Sequence, residues 1–446
     1  MEGGPFAGRS LHFIGIGGAG MSGLAQVAHA LGARVTGSDR VDSPVLERLR
    51  ADGIEAVAGH DAANLPAGAE VVVSTAIPED NPELDAARAA GATVLHRADL
   101  LGELSRMKRT IAVSGAHGKT TTAAMAAHAL RRAGHDAPFL IGGELRSAGA
   151  NALWGAGEWA VIEADESDRS FLKLGRDVAV VTNVELDHHS TYANLAELQE
   201  AFEEFARPAE LRVVGPDVEL AQEVLAIGIG PGAGLRAEAL ELMPGGSRFQ
   251  VEGATVELPV PGRHNVLNAL AALAACRAAG LPIAEGAAAL ADFAGTSRRF
   301  ELHGLSARGA LVYDDYAHHP TEVRATLEAA RLVAAEGERR LVACFQPHLY
   351  SRTQALAREF GRALALADAV VVVDVYPARE RAEDFHGVTG LLVAQAAADA
   401  AGGRPVWWLP GLEGARAMLE ARLGERDLLV TLGAGDVDRI ARELTA

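Results

Sequence analysis

The segment Ile-Ala-Val-Ser-Gly-Ala-His-Gly-Lys-Thr-Thr-Thr at 111–122 constrains this chain most. A short β-branched strand runs into a glycine-bearing turn, and Lys119 and Thr120 then open a helix. That is the layout of a phosphate-binding loop. Backbone N–H groups and the helix N-terminus cradle anionic oxygens, the lysine reaches the β- and γ-phosphates, and the threonine hydroxyl holds Mg2+. The usual pattern has a glycine five residues before the second glycine. Val113 stands there, so the loop is a G-x-x-G-K-T-T variant built on Gly115 and Gly118. A glycine-rich turn before a capped helix is the plain alternative. Against it, Lys108, Lys119 and Lys173 are the only lysines in an arginine-rich chain. Retaining one here points to a need for a compact, flexible ammonium.

A chain of 446 residues exceeds what one core usually supports, so two or three domains are expected. The net charge of −18 disfavours nucleic acid and anionic membrane as partners. No basic start followed by an apolar core opens the chain, and no apolar run approaches the roughly 18 residues of a membrane span. The expectation is a cytoplasmic protein without membrane insertion. Cys276 and Cys344 are too few for a disulfide framework or a zinc cluster. Short apolar strands alternate with Ala/Leu-rich helical patterns, which predicts α/β domains with parallel sheets. The stretch Leu211–Pro261 reads as an antiparallel excursion inside the middle domain. Boundaries near 105–109 and 295–299 divide the chain into 1–106, 107–295 and 296–446.

Polar clusters follow several strands. Gly15, Gly17 and Gly20 fit a dinucleotide fingerprint after the strand Leu11–Ile16, and Asp39 lies 19 residues past Gly20. Alone this reads as an NAD site. The extra Gly18 and the pair Met21-Ser22 weaken that reading, and a UDP-sugar diphosphate fits a helix N-terminus equally well. The strand ending at Glu163 leads into Asp165, Glu166 and Asp168, carboxylates suited to Mg2+, with a solvated acidic loop as the alternative. Asn183, Glu185, Asp187, His188 and His189 follow the next strand, either as a second metal site or as hydrogen-bonded loop residues. Asn265 and Asn268 lie three apart at a helix start, where their amides suit an adenine edge, and Asn265 suits an N-cap as well. Arg299 suits a clamp on a γ-phosphate, and Asp315, His318, His319, His348 and Arg352, in segments that each follow a strand, are expected to line a cleft facing the phosphate loop.

Taken in order, Gly-Ile-Gly-Gly-Ala-Gly-Met, Gly-Ala-His-Gly-Lys-Thr-Thr-Thr, Glu-Ala-Asp-Glu-Ser-Asp, Gly-Arg-His-Asn-x-x-Asn, Arg-Arg-Phe, Asp-Asp-Tyr-Ala-His-His-Pro and Gly-Ala-Gly resemble the Mur ligase family. The resemblance spans nearly the whole chain. It implies a Rossmann-like N-terminal UDP-sugar-binding domain, a central P-loop ATPase-type sheet and a Rossmann-like C-terminal domain receiving an amino acid. The implied ATP contacts are Gly115, Ala116, His117, Gly118, Lys119, Thr120 and Thr121, with His264, Asn265 and Asn268 at the adenine. Arg299 is implied near the γ-phosphate and Asp315 at the ribose. Thr120, Glu163 and His188 match the family's Mg2+ ligands. Gly15, Gly17, Gly18, Ala19, Gly20, Met21, Ser22 and Asp39, with Ser74, Thr75 and Ala76, match the UDP-sugar pocket. His318, His348 and Arg352 fall on the amino-acid side.

The implied reaction joins L-alanine to the lactyl carboxylate of UDP-N-acetylmuramate through an acyl phosphate, consuming ATP, in a monomer or homodimer. Domain closure is expected to exclude water from that intermediate. Several relatives carry a carbamylated lysine where Glu203 stands, so no carbamate is expected. His189 and Ser190 also depart from many relatives, and no role is inferred for them. Two rivals stay open: a murein tripeptide ligase of the same family, whose relatives usually have Glu-Tyr-Asp in place of Glu166-Ser-Asp168, and an NAD-dependent oxidoreductase reading Gly15–Gly20 as its cofactor site.

Overall fold

Strands of near-continuous Val, Ile and Leu cannot face water on either side, so they demand a parallel sheet covered by helices on both faces. The structure, a computed structural model, describes residues 4–187 and 191–446. Its described residues form two compact units, one of residues 4–187, 191–237, 251–254 and 267–290, the other of residues 238–250, 255–266 and 291–446. In the first unit, strands β1 (Ser10–Ile14), β2 (Arg34–Asp39), β3 (Glu55–Ala58), β4 (Glu70–Val73) and β5 (Val94–His96) form a parallel sheet of order β3-β2-β1-β4-β5. The order reverses at β1 and β4, a switch point where open α/β sheets bind ligands beyond the strand ends. Helices α1 (Ala19–Ala30), α2 (Pro44–Ala51), α3 (Pro82–Ala89) and α4 (Arg97–Ser105) connect or flank these strands.

The same unit holds a second sheet built on β6 (Arg109–Ser114), β7 (Phe139–Leu145), β8 (Ala150–Leu153), β9 (Trp159–Glu163), β10 (Val178–Val181), β11 (Leu211–Val214) and β12 (Leu225–Ile229). The phosphate-loop strand β6 lies between β10 and β9, parallel to both, so the C-terminal ends of all three meet at one edge. Helix α5 (Lys119–Arg132) follows β6, and α6 (Leu195–Ala206) follows β10. One continuous core joins the two sheets' helices: Leu24, Leu100 and Leu104 cluster with Phe171, Phe202 and Phe205. Phe171 stacks on Phe205 at 5.0 Å and meets Phe202 edge-on at 5.5 Å.

The expected antiparallel excursion is shorter than 211–261. β11 runs parallel to β10, and β12 parallel to β11. β13 (Leu235–Met243) is still parallel to β12, and reversal begins only at β14 (Gly246–Val251), which pairs antiparallel with β13; β15 (Ala254–Leu258) lies beside β14. A short apolar run signals a strand but not its direction, which is why the sequence overreached here.

Helix α7 (Arg263–Ala278) and helix α8 (Ile283–Leu290) precede the last sheet. In it β16 (Glu301–Leu305), β17 (Leu311–Asp315), β18 (Arg340–Phe345), β19 (Ala369–Val372), β20 (Val406–Trp408) and β21 (Asp427–Leu432) take the order β16-β17-β21-β18-β19-β20. β16 is antiparallel to β17, and the other pairs are parallel. Helix α9 (Pro320–Glu336) follows β17 and packs Val323 and Leu327 into the core under that sheet. The outcome is three α/β domains along the chain.

Candidate active site

The first glycine-rich loop, at the end of β1, is held from the neighbouring strand β2. The N–H groups of Gly15 and Ile16 donate to the Ser38 carbonyl at 2.8 and 2.9 Å. The Gly17 N–H donates to the Asp39 carboxylate at 2.9 Å. Asp39, expected to meet a ligand, therefore first serves to shape the loop. Gly18 caps α1 without any side-chain hydrogen bond, and so does Gly118 for α5. By contrast Ser43, Asn81 and Asn194 cap α2, α3 and α6 through their side chains. Uncapped first-turn N–H groups beside glycine are where an anion settles. Ile77, the residue after the strip Ser74–Ala76, lies against this loop: a Cβ at Gly15 would come 2.9 Å from its side chain.

The phosphate loop is tighter. A Cβ at Gly115 would stand 2.1 Å from the Thr182 hydroxyl. Asn183 clamps the loop, its carboxamide accepting from the His117 N–H at 2.8 Å and donating to the His117 carbonyl at 2.9 Å. His117 Nε2 lies 2.9 Å from Glu185. Asn268 comes down on the loop from α7: the Thr122 hydroxyl donates to its carboxamide oxygen at 3.2 Å. Asn265 does not cap α7. It sits inside the helix and donates back to the Pro261 carbonyl at 2.7 Å.

Lys119 donates to the Gly115 and Ala116 carbonyls at 2.6 and 3.2 Å and to Glu166 at 3.1 Å. Burial alone would lower its pKa, but the charges of Glu166, Asp165 and Glu163 prevail and hold it above the ordinary lysine value. It is a fixed cation at any physiological pH. The Thr120 hydroxyl donates to Glu163 Oε1 at 3.0 Å, and the other Glu163 oxygen accepts the Gly142 N–H at 2.6 Å. A hydroxyl and a carboxylate oxygen so close beside a lysine are the hard donors Mg2+ prefers, so this pair fits that ion. His188, the third expected ligand, lies outside the described residues, as do His189 and Ser190.

The acidic turn after β9 is not simply solvated. Glu166 is buried, and the Tyr192 hydroxyl donates to its carbonyl at 2.7 Å. Asp165 is desolvated, which would raise its pKa, yet Arg97 and Lys119 hold it well below the carboxylate range. Arg97 was assigned no role from sequence, and Glu166, read there only as one of the carboxylates suited to Mg2+, is the ion-pair partner of Lys119. The polar His96-Arg97 pair just past a strand was the available signal.

In the second unit, Arg298 is fully engaged: Nε donates to Asp314 at 2.9 Å, and its two terminal nitrogens donate to the Gly435 and Gly433 carbonyls at 3.0 and 2.7 Å. Arg299 is looser, 3.8 Å from Glu322 and over the Tyr316 ring at 5.1 Å. Of this arginine pair, Arg299 keeps a guanidinium available to a ligand. Asp315 accepts the Phe300 and Ala317 N–H groups at 2.7 and 2.8 Å, while burial pushes its pKa up to about 6. Burial also pushes His264 down to about 4, against the pull of Glu322 and with the push of Arg299, so its imidazole is neutral near pH 7. His318, His348 and Arg352 do come together. The His318 and His348 rings meet edge-on at 5.7 Å, and Arg352 lies 3.2 Å from His348 Nδ1. Tyr376, unmarked in the sequence, stacks on His348 at 5.7 Å.

The two glycine-rich loops, the buried lysine and the threonine–carboxylate pair define a nucleotide-dependent enzyme of the phosphate-loop class. Comparison with known proteins narrows the class. Family models described as the Mur ligase catalytic domain, middle domain and glutamate ligase domain match residues 10–109, 113–276 and 298–435. The chain is 47% identical over 444 residues to the UDP-N-acetylmuramate–L-alanine ligase of Streptomyces coelicolor, covering 96% of this chain and 95% of that protein. It is 46% identical to the enzyme of the same name from Rubrobacter xylanophilus, covering 98% and 99%. Among solved structures, the UDP-N-acetylmuramate–alanine ligase of Thermotoga maritima superposes with a TM-score of 0.84 at 30% identity, covering 98% of each chain. A murein peptide ligase from Psychrobacter arcticus gives 0.73 at 26% identity, again covering 98% of each. The chain belongs to the Mur ligase family.

Proposed function

We propose that this protein is an ATP-dependent ligase that joins L-alanine to the lactyl carboxylate of UDP-N-acetylmuramate in peptidoglycan precursor synthesis, releasing ADP and phosphate. The Lys119 site carries the reading from geometry, and full-length identity of 45–47% to ligases of that name supports it. A carboxylate is a poor electrophile and must first accept the γ-phosphoryl group. Lys119 supplies a permanent positive charge for the β- and γ-oxygens, which replace its present carbonyl and Glu166 partners. The Gly115–Thr121 amides add fixed dipoles to the same oxygens. Thr120, Glu163 and His188 are the residues that would hold Mg2+, which neutralises developing phosphoryl charge when bound. The loop at Gly15–Ser22, with Asp39 shaping it and Ser74–Ala76 beside it, would seat the UDP-sugar diphosphate.

His264, Asn265 and Asn268 are assigned to the adenine, Asp315 to the ribose and Arg299 to the γ-phosphate. His318, His348 and Arg352 are assigned to the amino acid. The neutral amine of alanine attacks the acyl carbon, phosphate departs and the amide forms. The domain limits 1–106, 107–295 and 296–446 belong to the same proposal, as does cytoplasmic location. Among the described residues no helix is long and apolar enough to cross a membrane.

A phosphate-release assay with MgATP and UDP-N-acetylmuramate tests the reading against a panel of amino acids and the L-Ala-γ-D-Glu-diaminopimelate tripeptide. Turnover is expected with L-alanine and weaker by about tenfold or more with glycine, since one methyl group in a pocket is worth ~1–3 kcal/mol. Turnover confined to the tripeptide would move the protein to the sister activity. NADH binding with no ATP requirement would remove it from ligases altogether.

A further inference from the structure

One guanidinium stands between the two glycine-rich loops of the first unit. Arg97 opens α4 directly after β5, and its backbone is locked there by a capping box. The His96 ring accepts the Ala98 N–H at 3.2 Å, and Asp99 accepts the His96 N–H at 2.9 Å. Leu100 and Leu104 of the same helix are fully buried in the core shared with Phe171, so the helix cannot drift from the acidic turn. Lys173 adds an ion pair to Asp99 at 2.6 Å.

The two arms of Arg97 face different things. Nη2 donates to Asp165 at 2.8 Å and to Asp168 at 3.3 Å. The second oxygen of each carboxylate orders the turn itself, Asp165 accepting the Ser167 N–H and Asp168 the Ser170 N–H, both at 3.0 Å. That turn carries Glu166, the ion-pair partner of Lys119 at 2.9 Å. Nη1 makes no hydrogen bond among the described residues, and a Cβ built on Gly20 would lie 3.5 Å from it. The second arm is therefore presented at the first turn of α1, where the diphosphate loop ends.

We propose that Arg97 is a positioning residue that couples the sugar-nucleotide site to the ATP site. Its Nη1 meets the anionic sugar nucleotide held by Gly17–Gly20, while its Nη2 holds the Asp165–Asp168 turn that sets the surroundings of Lys119. Occupancy of the first loop draws on the same cation that neutralises the acidic turn beside Lys119, so the two ligands feel each other through one side chain. Arginine is suited to this because its planar fork serves two partners at once, which a lysine cannot do. The inference rests on the UDP-sugar reading of the first loop.

The test is a pair of titrations on the whole protein. The affinity for Mg2+ with a nonhydrolysable ATP analogue is measured with and without saturating UDP-N-acetylmuramate, and then the reciprocal. Wild type is expected to show a change of about fivefold or more, equal in both directions as linkage requires. In Arg97→Gln and Arg97→Lys each ligand still binds alone, and the change shrinks to within about twofold. Should either variant fail to fold, Asp168→Asn removes a partner of the same arm and is expected to weaken the coupling. A purely structural role would lower both affinities and the melting temperature while leaving their ratio intact. Full coupling in Arg97→Gln, or wild-type binding of both ligands without coupling, overturns the inference alone. Failure of wild type to bind UDP-N-acetylmuramate overturns the functional reading and this inference with it.

Discussion

Gly118 shows how little room the site leaves for substitution. Its φ of +79° lies in the left-handed region, and a Cβ there would come 2.5 Å from the Asn268 carboxamide oxygen. Alanine at this position meets two separate penalties, a backbone strain of roughly 1–2 kcal/mol and displacement of the asparagine that closes the loop. Gly118→Ala is accordingly expected to weaken ATP-analogue binding by about tenfold or more, since ~1.4 kcal/mol is a factor of ten. Adding Asn268→Ala relieves the contact but not the strain and also removes an assigned adenine contact, so at most a small part of the affinity should return. Direct titration reads both numbers. Full recovery in the double variant would mean that backbone strain contributes nothing, and wild-type affinity in the single variant would dismiss the close approach as well.

At the scale of elements, the N-terminal sheet is fastened by a buried polar network. Glu83 on α3 is fully buried. It accepts from the Ser38 hydroxyl at 2.5 Å, the Asn64 amide at 2.7 Å and the Asp61 N–H at 3.1 Å, with His12 Nε2 at 3.2 Å. Ser38 also supplies the carbonyl that fixes Gly15 and Ile16, so the network supports the diphosphate loop from behind. Burial alone would push the Glu83 carboxyl up; hydrogen bonds from His12, Ser38, Asn64 and Asp61 outweigh it and hold the pKa at about 2. The folded state then binds fewer protons than the unfolded one, so this contribution is complete above the unfolded value near 4.5 and declines as pH falls towards 2. Urea unfolding of wild type and Glu83→Gln should differ by a constant amount from pH 8 to 5, about 2–3 kcal/mol for a broken buried charge network, and the gap should narrow below pH 5. A gap unchanged down to pH 3.5 would exclude the ionised carboxylate as its source.

The same scale explains what could be read from the sequence. Gly115–Thr121, Glu163 and Asn183 were legible because each motif is local and follows its own strand, and parallel connections bring those strand ends to one edge. Arg97 was not, because its acidic partners lie 68 and 71 residues away and nothing in the intervening chain encodes the pairing. Strand direction in 211–229 and the inward bond of Asn265 were missed for a related reason. Apolar runs and amide side chains state a preference, and tertiary neighbours decide between the alternatives. The loop-holding role of Asp39 was hidden as well, since the acidic residue that meets a ligand and the one that holds the loop occupy the same position.

For the whole molecule, charge poses a problem that the site must solve locally. The chain carries −18 overall, yet both proposed nucleotide substrates are anions. Long-range attraction therefore gives them no help, and affinity has to come from desolvated cations and uncapped helix termini at close range. Lys119 serves one loop alone, since its hydrogen bonds and ion pair all go to the phosphate loop and Glu166. Removing it should cost one ligand and spare the other. A ligand at 100 times its Kd stabilises a protein by about 2.7 kcal/mol, a shift of several degrees that a thermal melt resolves. Wild type should be stabilised by ADP with Mg2+ and, separately, by UDP-N-acetylmuramate. Lys119→Ala should lose the ADP shift and keep the sugar-nucleotide shift within a degree, with no phosphate release. Loss of both shifts together would show that Lys119 is not confined to one nucleotide, and the assignment of one loop to each nucleotide would have to be abandoned.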